Sequence, residues 1–244
     1  MCVELTVNSI VNAFISCVYY NIRSLELVGD SVMKCEKKNM LLYAVTDRAW
    51  IGKQTLLEQI ESALKGGITC LQLREKELEQ KAFLQEAYAV KKLCEKYRVP
   101  FIINDNVEVA IACKADGVHV GQGDIPPAKV REMVGQDMWI GVSAHTLEEA
   151  LEAEKQGADY LGVGSMFPTG TKKDVVETTF ETLEEICNQV TIPVVAIGGI
   201  KESNLSLLGK TGVDGVALVS AIFGSKNIEE TCRHLLEFSY LFDT

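Results

Sequence analysis

The stretch FIINDNVEVAIACKADGVHVGQGD, Phe101 to Asp124, decides how this chain folds. Two apolar segments, Phe101–Ile103 and Gly117–Val120, each run into a polar cluster carrying one carboxylate, Asp105 and Asp124. Between them Val107, Ala110 and Ile111 recur at helical spacing, so the unit reads strand, helix, strand. In such a unit the two strands are parallel neighbours, and both carboxylates emerge at one edge of the sheet. Two acids placed that way, with no Lys or Arg adjacent in sequence, suit a hard divalent cation. The competing use is helix capping, because an Asp just after a strand often serves as N-cap of the next helix. A pair at equivalent places in consecutive units favours a site.

The same pattern continues on both sides, from Met40 onward. Apolar runs begin near Leu42, Ile68, Phe101, Gly117, Trp139, Tyr160, Val194 and Val216. Helical periodicity follows them, as in Leu56, Leu57, Ile60, Ala63 and Leu64, or Phe83, Ala87, Val90, Leu93 and Cys94. Thr146 with Glu149 resembles a capping box, and Pro126-Pro127 suits a first helical turn. Gly66-Gly67, Gly157 and Gly212 stand where helices should stop. Eight such units predict an α/β fold, a single TIM (β/α)8 barrel over residues 40–244. An open doubly wound sheet is the alternative, but no GxGxxG follows the first strand. Residues 1–39 read as a weakly structured N-terminal extension, disordered or a start-site artefact, with Met33 as a second start-like methionine.

Composition narrows the partners. A net charge of -10 without a basic face excludes nucleic acid as a general partner. Phosphate ligands remain open, because a few cations and backbone N–H groups suffice for a local anion site. The eight cysteines are dispersed without CxxC or zinc spacing, which predicts free thiols and a cytoplasmic location. Ile10–Val18 is apolar but short, contains Asn12 and lacks a basic leader, so neither membrane nor signal peptide is expected.

In a βα barrel the chemistry belongs where strands end. After the second strand comes QLREK, whose Gln72, Arg74 and Lys76 alternate outward; a guanidinium and an ammonium together suit phosphate oxygens. Pairing with Glu75, Glu77 and Glu79 is the plainer use of those charges. Asn104-Asp105 and Gln122-Gly-Asp124 follow the third and fourth strands, and GVSAHT places Ser143 and His145 after the fifth. The sixth runs into GVGSMFPTGTKKD, Gly162 to Asp174, a loop long enough to bring Lys172 or Lys173 to an anion. AIGGI and ALVSAIF follow the last two strands, where glycine lets backbone N–H groups approach an oxyanion, or merely makes a tight turn. The three histidines form no metal set: His119 reads as a hydrogen-bonded barrel residue, His234 sits in the last helix, and nothing positions His145 as a base for Ser143.

Taken in order, LYAVTDR, QLREK, FIIND, GVHVGQGD, GVSAHT, GSMFPTGTKKD, VVAIGGI and ALVSAI resemble the thiamine phosphate synthase family across most of Leu41–Phe223. The resemblance implies a TIM-barrel transferase of thiamine biosynthesis, with Mg2+ as cofactor. Its small-molecule phosphorylated substrates would be hydroxymethylpyrimidine diphosphate and hydroxyethylthiazole phosphate, giving thiamine phosphate and pyrophosphate. A homo-oligomer is compatible with it. It assigns Gln72, Leu73, Arg74, Glu75, Lys76, Asn104, Ser143 and Lys172 to the pyrimidine diphosphate, with Arg74, Lys76, Ser143 and Lys172 as the catalytic groups. Thr169, Gly170, Thr171, Gly199, Val219 and Ser220 fall to the thiazole phosphate, and Asp105 and Asp124 to the metal. Asn106 departs from the charged residue often found there. The related thiazole tautomerase branch, and a catalytically silent phosphate-binding barrel, are the competing functions.

Overall fold

The computed structural model describes residues 35–169, 177–239 and 242. The expected extension up to Lys34, and Gly170, Thr171 and Lys172 of the sixth loop, lie outside the described residues.

Eight parallel strands close on themselves in sequence order. They are β1 (Leu42–Val45), β2 (Cys70–Leu73), β3 (Phe101–Asn104), β4 (Gly117–Val120), β5 (Trp139–Ala144), β6 (Tyr160–Val163), β7 (Val194–Ile197) and β8 (Gly215–Leu218). The first six are followed by α1 (Leu56–Lys65), α2 (Gln80–Tyr97), α3 (Val107–Cys113), α4 (Pro127–Val134), α5 (Leu147–Lys155) and α6 (Phe180–Gln189). After β7 comes the single turn α7 (Glu202–Leu205); after β8 come α8 (Ser220–Phe223) and α9 (Ile228–Ser239). The β1–β8 pairing, with Leu42 opposite Val216, seals the cylinder. The open doubly wound sheet is thereby ruled out.

Side-chain alternation along each strand separates two cores. Leu42, Ala44, Leu71, Leu73, Phe101 and Ile103 point outward and meet the helices. Tyr43, Val45, Cys70, Ile102, Trp139 and Tyr160 belong to a second cluster inside the barrel. Gln72, Asn104 and Ser143 stand two residues beyond inward-facing positions, so the same parity aims them into the cylinder. Asn104 is paired with His119, and His119 with Gly141, which carries this polar layer across neighbouring strands.

The local signals operate with small shifts. Thr55 and Glu58 form the capping box that starts α1. Thr146 accepts from Glu149 N, but the Glu149 carboxylate reaches one residue further back, to His145 N at 2.7 Å, so the expected box is only half formed. β2 begins at Cys70, not Ile68, because Ile68 turns into the outer core and the Thr69 hydroxyl bonds Asn39 O at 3.0 Å. Cys35 is buried and Lys37 pairs with Asp214 at 2.8 Å. The six described cysteines are free thiols, all but Cys187 fully buried. No described helix is long and apolar enough to cross a membrane.

Candidate active site

The strand ends open into a cavity of about 360 Å³, into which Gln72, Arg74, Asn104 and Ser143 project from one side and Gly199 and Ser220 from the other. Thr169 and Val219 also line it. An adjoining depression is lined by Lys76, Asn104 and Asp105, so Asn104 is common to both.

Neither acid of the opening stretch caps a helix. Asn106 takes that role for α3, its side chain accepting from Val109 N at 2.9 Å. Asp105 is held in the left-handed region (φ +62°), where its N–H donates to His119 O at 2.8 Å. Asp is among the residues that tolerate this conformation, which lifts it off the helix axis. Asp124 folds back so that Oδ2 accepts from Gly121 N at 2.7 Å, while α4 starts independently on Pro126-Pro127. Released from capping, the two carboxylates sit on adjacent loops at one rim. Among the described residues no group of three or more His, Cys, Asp or Glu gathers to form a closed metal cage. Magnesium sites commonly take one or two carboxylates and fill the other positions with waters and substrate phosphates.

QLREK is anchored by the residues that follow β1. Arg74 Nη1 donates to Asp47 Oδ2 at 2.8 Å, and Arg74 N to the Thr46 hydroxyl at 3.0 Å. Glu75 receives Arg48 Nε at 2.7 Å, and the same guanidinium bonds both oxygens of Glu86. Burial raises the Glu86 carboxyl above its ordinary value against the pull of Arg48. The Arg48 guanidinium is raised too: burial works against its charge, and the bonds from Glu75 and Glu86 outweigh it. Leu73 faces the outer core. The side chains of Leu73 and Glu75 are thus occupied structurally, while those of Gln72 and Arg74 reach the cavity.

On the opposite wall the glycines do more than turn the chain. Met166 N and Phe167 N donate to Ile197 O (3.0 Å) and Gly198 O (3.1 Å), laying the loop after β6 along the end of β7. A Cβ on Gly199 would stand 2.6 Å from the carbonyl oxygens of both Phe167 and Pro168, and φ there is +64°. Only glycine allows this approach, which brings Thr169 beside Gly199 at the cavity wall.

His119 is hydrogen-bonded inside the barrel as its sequence position suggests, and Tyr43 and Tyr160, which the sequence did not single out, join it to Gln72. The Ser143 hydroxyl lies 3.0 Å from His119 Nε2, and His119 Nδ1 lies 3.0 Å from the Tyr160 hydroxyl. Tyr160 meets Tyr43 at 2.7 Å, and Gln72 Nε2 donates to Tyr43 at 2.8 Å. The partner of Ser143 is therefore His119, whereas His145 Nδ1 is engaged by Glu149. Burial pushes the phenols of both tyrosines well above their usual value, so they are neutral groups. The polar groups of this arrangement can hydrogen-bond a polar ring.

A family model described as thiamine monophosphate synthase matches residues 42–222. The thiamine-phosphate synthase of Clostridium tetani is 48% identical over 197 residues, 81% of this chain and 94% of that protein. That of Alkaliphilus oremlandii is 50% identical over 194 residues, 80% of this chain and 93% of the relative. Among solved structures, a thiamine phosphate pyrophosphorylase from Pyrococcus furiosus superposes with a TM-score of 0.76 at 39% identity, covering 83% of this chain and 96% of its own.

Proposed function

The chain belongs to the thiamine monophosphate synthase family, and on that premise we propose that it joins hydroxymethylpyrimidine diphosphate to hydroxyethylthiazole phosphate. One observation carries the reading: a single cavity has polar ring-binding groups and Arg74 on one wall and the Gly199–Ser220 backbone on the other. Two phosphorylated substrates need two anion-binding ends with their reacting atoms between them.

In this reading Gln72, Asn104 and Ser143 hold the aminopyrimidine, and Arg74, Lys76 and Lys172 bind the diphosphate. Thr169, Thr171 and the backbone of Gly170, Gly199, Val219 and Ser220 hold the thiazole phosphate. Asp105 and Asp124 would hold magnesium, which when bound neutralises charge on the diphosphate. The methylene C–O bond breaks with its electron pair leaving on the diphosphate. The electron-rich aminopyrimidine stabilises the methylene cation, and the thiazole nitrogen lone pair then forms the new C–N bond. Positioning and fixed charge supply the acceleration. Free, buried thiols suit a cytoplasmic setting.

The test is incubation of both precursors with magnesium, following thiamine phosphate and pyrophosphate. Product dependent on both precursors is expected. Proton exchange on the thiazole phosphate alone, or binding without product, would overturn the assignment in favour of a tautomerase or a silent barrel. Asp105→Asn and Asp124→Asn should each lower turnover severely at saturating magnesium; near-normal turnover in both would remove the metal assignment.

A further inference from the structure

The contacts Gln72–Tyr43–Tyr160–His119–Ser143 form one unbroken hydrogen-bond chain through the barrel interior, and such a chain has a direction. Gln72 Nε2 can only donate, so the Tyr43 oxygen accepts from it and turns its own proton to Tyr160. Tyr160 then donates to His119 Nδ1, which leaves the imidazole proton on Nε2, facing Ser143 Oγ. Ser143 accepts that hydrogen bond and has its own O–H left to donate. At the other end, the Gln72 amide oxygen is the acceptor that remains. Both terminal residues line the cavity, and Tyr43 and Tyr160 are among the largest fully buried side chains of the protein.

The barrel makes room for this chain. A Cβ on Gly141 would stand 2.1 Å from Tyr160 Cζ and 2.5 Å from His119 Nδ1, so the contact exists only because β5 carries no side chain there. The His119 and Tyr160 rings lie with centroids 5.5 Å apart, and Tyr43 meets Tyr160 edge-on at 5.8 Å. Packed rings fix the geometry, and buried polar atoms need their partners, so the chain holds together as a unit.

We infer that His119 is a positioning residue: kept as the Nε2–H tautomer by Tyr43 and Tyr160, it presents the Ser143 hydroxyl as a donor and leaves Gln72 as an acceptor, a pair that selects an aminopyrimidine. This rests on the proposed function for the identity of the ring. An aminopyrimidine offers the complementary pair, an exocyclic N–H donor and a ring-nitrogen acceptor. A ring with those groups exchanged would meet donor against donor and acceptor against acceptor, which costs far more than one lost bond because both walls are already desolvated.

The direction can be read without any ligand. In ¹⁵N-histidine-labelled full-length protein, the His119 ring should show the Nε2–H tautomer. Tyr160→Phe, which removes the hydroxyl and keeps the ring, should abolish that preference. In the assay, Tyr160→Phe should raise KM for the pyrimidine diphosphate about five- to tenfold, the scale of one broken hydrogen bond, with KM for the thiazole phosphate unchanged. Tyr43→Phe is the second variant, which separates Gln72 from Tyr160 and the rest of the chain, and should likewise raise only the pyrimidine KM. An Nδ1–H tautomer in the wild type would overturn the inference, as would equal rises in both KM values. The tautomer result stands even if the assay shows a different reaction, so the two readings fail separately.

Discussion

Gly141→Ala is the sharpest single test of how the barrel interior is built. The added Cβ would meet Tyr160 Cζ at 2.1 Å, its hydroxyl at 2.3 Å and His119 Nδ1 at 2.5 Å. None of these can move freely, since Tyr160 is fully buried and bonded to Tyr43. Overpacking of a core costs about 1–3 kcal/mol. Separating the His119–Tyr160 pair without water to replace it adds about 1–3 kcal/mol. The sum, about 2–6 kcal/mol, corresponds to a melting temperature lowered by roughly 4–24 °C for a domain of this size. Two neighbours calibrate the result. A Cβ on Gly162 comes no closer than 3.2 Å, to His119 Cε1, and one on Gly52 meets nothing within 4 Å. Thermal unfolding followed by circular dichroism should therefore rank Gly52→Ala near wild type, Gly162→Ala slightly lower and Gly141→Ala far lower. Melting of Gly141→Ala within about 2 °C of Gly52→Ala, on that same scale, would refute the account of the interior.

Two further outcomes are expected. Arg48→Ala leaves the Glu75 side chain, only 2% exposed, without its partner. Removing half of a buried pair costs about 3–5 kcal/mol, and the partial exposure of Arg48 lowers this to about 2–3 kcal/mol. The urea midpoint should fall accordingly and recover in Arg48→Ala/Glu75→Gln; an unchanged midpoint would contradict the clamp. Stability should also decline in alkali. Burial pushes the thiols of Cys187 and Cys232 up to about 12. A group raised in the folded state contributes its full stability below the unfolded value, near 8.5, and loses it as pH rises toward the folded value. The urea midpoint should hold to about pH 8.5 and then fall, less steeply in Cys232→Ala. A midpoint flat to pH 10.5 would show that these thiols are not shielded.

The architecture was legible because its signals are local. Apolar runs and helical periodicity lie within ten to twenty residues of each other, and α1 buries Leu56, Ile60, Ala63 and Leu64 as its periodicity predicts. Partnerships across the barrel were less so. Asp105 and Asn106 are equally good capping residues on paper, and only the left-handed backbone at Asp105 decides between them. Ser143 and His119 are 24 residues apart, and their bond follows from register, which no composition encodes. A signal was nonetheless present: His119 has the same inward parity as Asn104 and Ser143, so the three belong to one face. The Thr46-Asp47-Arg48 corner was overlooked for a similar reason. Its role is to hold Arg74 and Glu75, 27 or 28 residues later in the chain.

The strands divide the hydrophobic side chains into an outer cluster shared with the helices and an inner one that fills the barrel. The wall between them is a single backbone layer thick. An engineer seeking heat resistance therefore has two separate compartments. Substitutions in the helix shell can add stability with the substrate chamber left alone, whereas the interior offers little slack, because its polar residues and its aromatic floor are the same few side chains. Tolerance to change should follow that partition more closely than it follows distance from the reacting atoms.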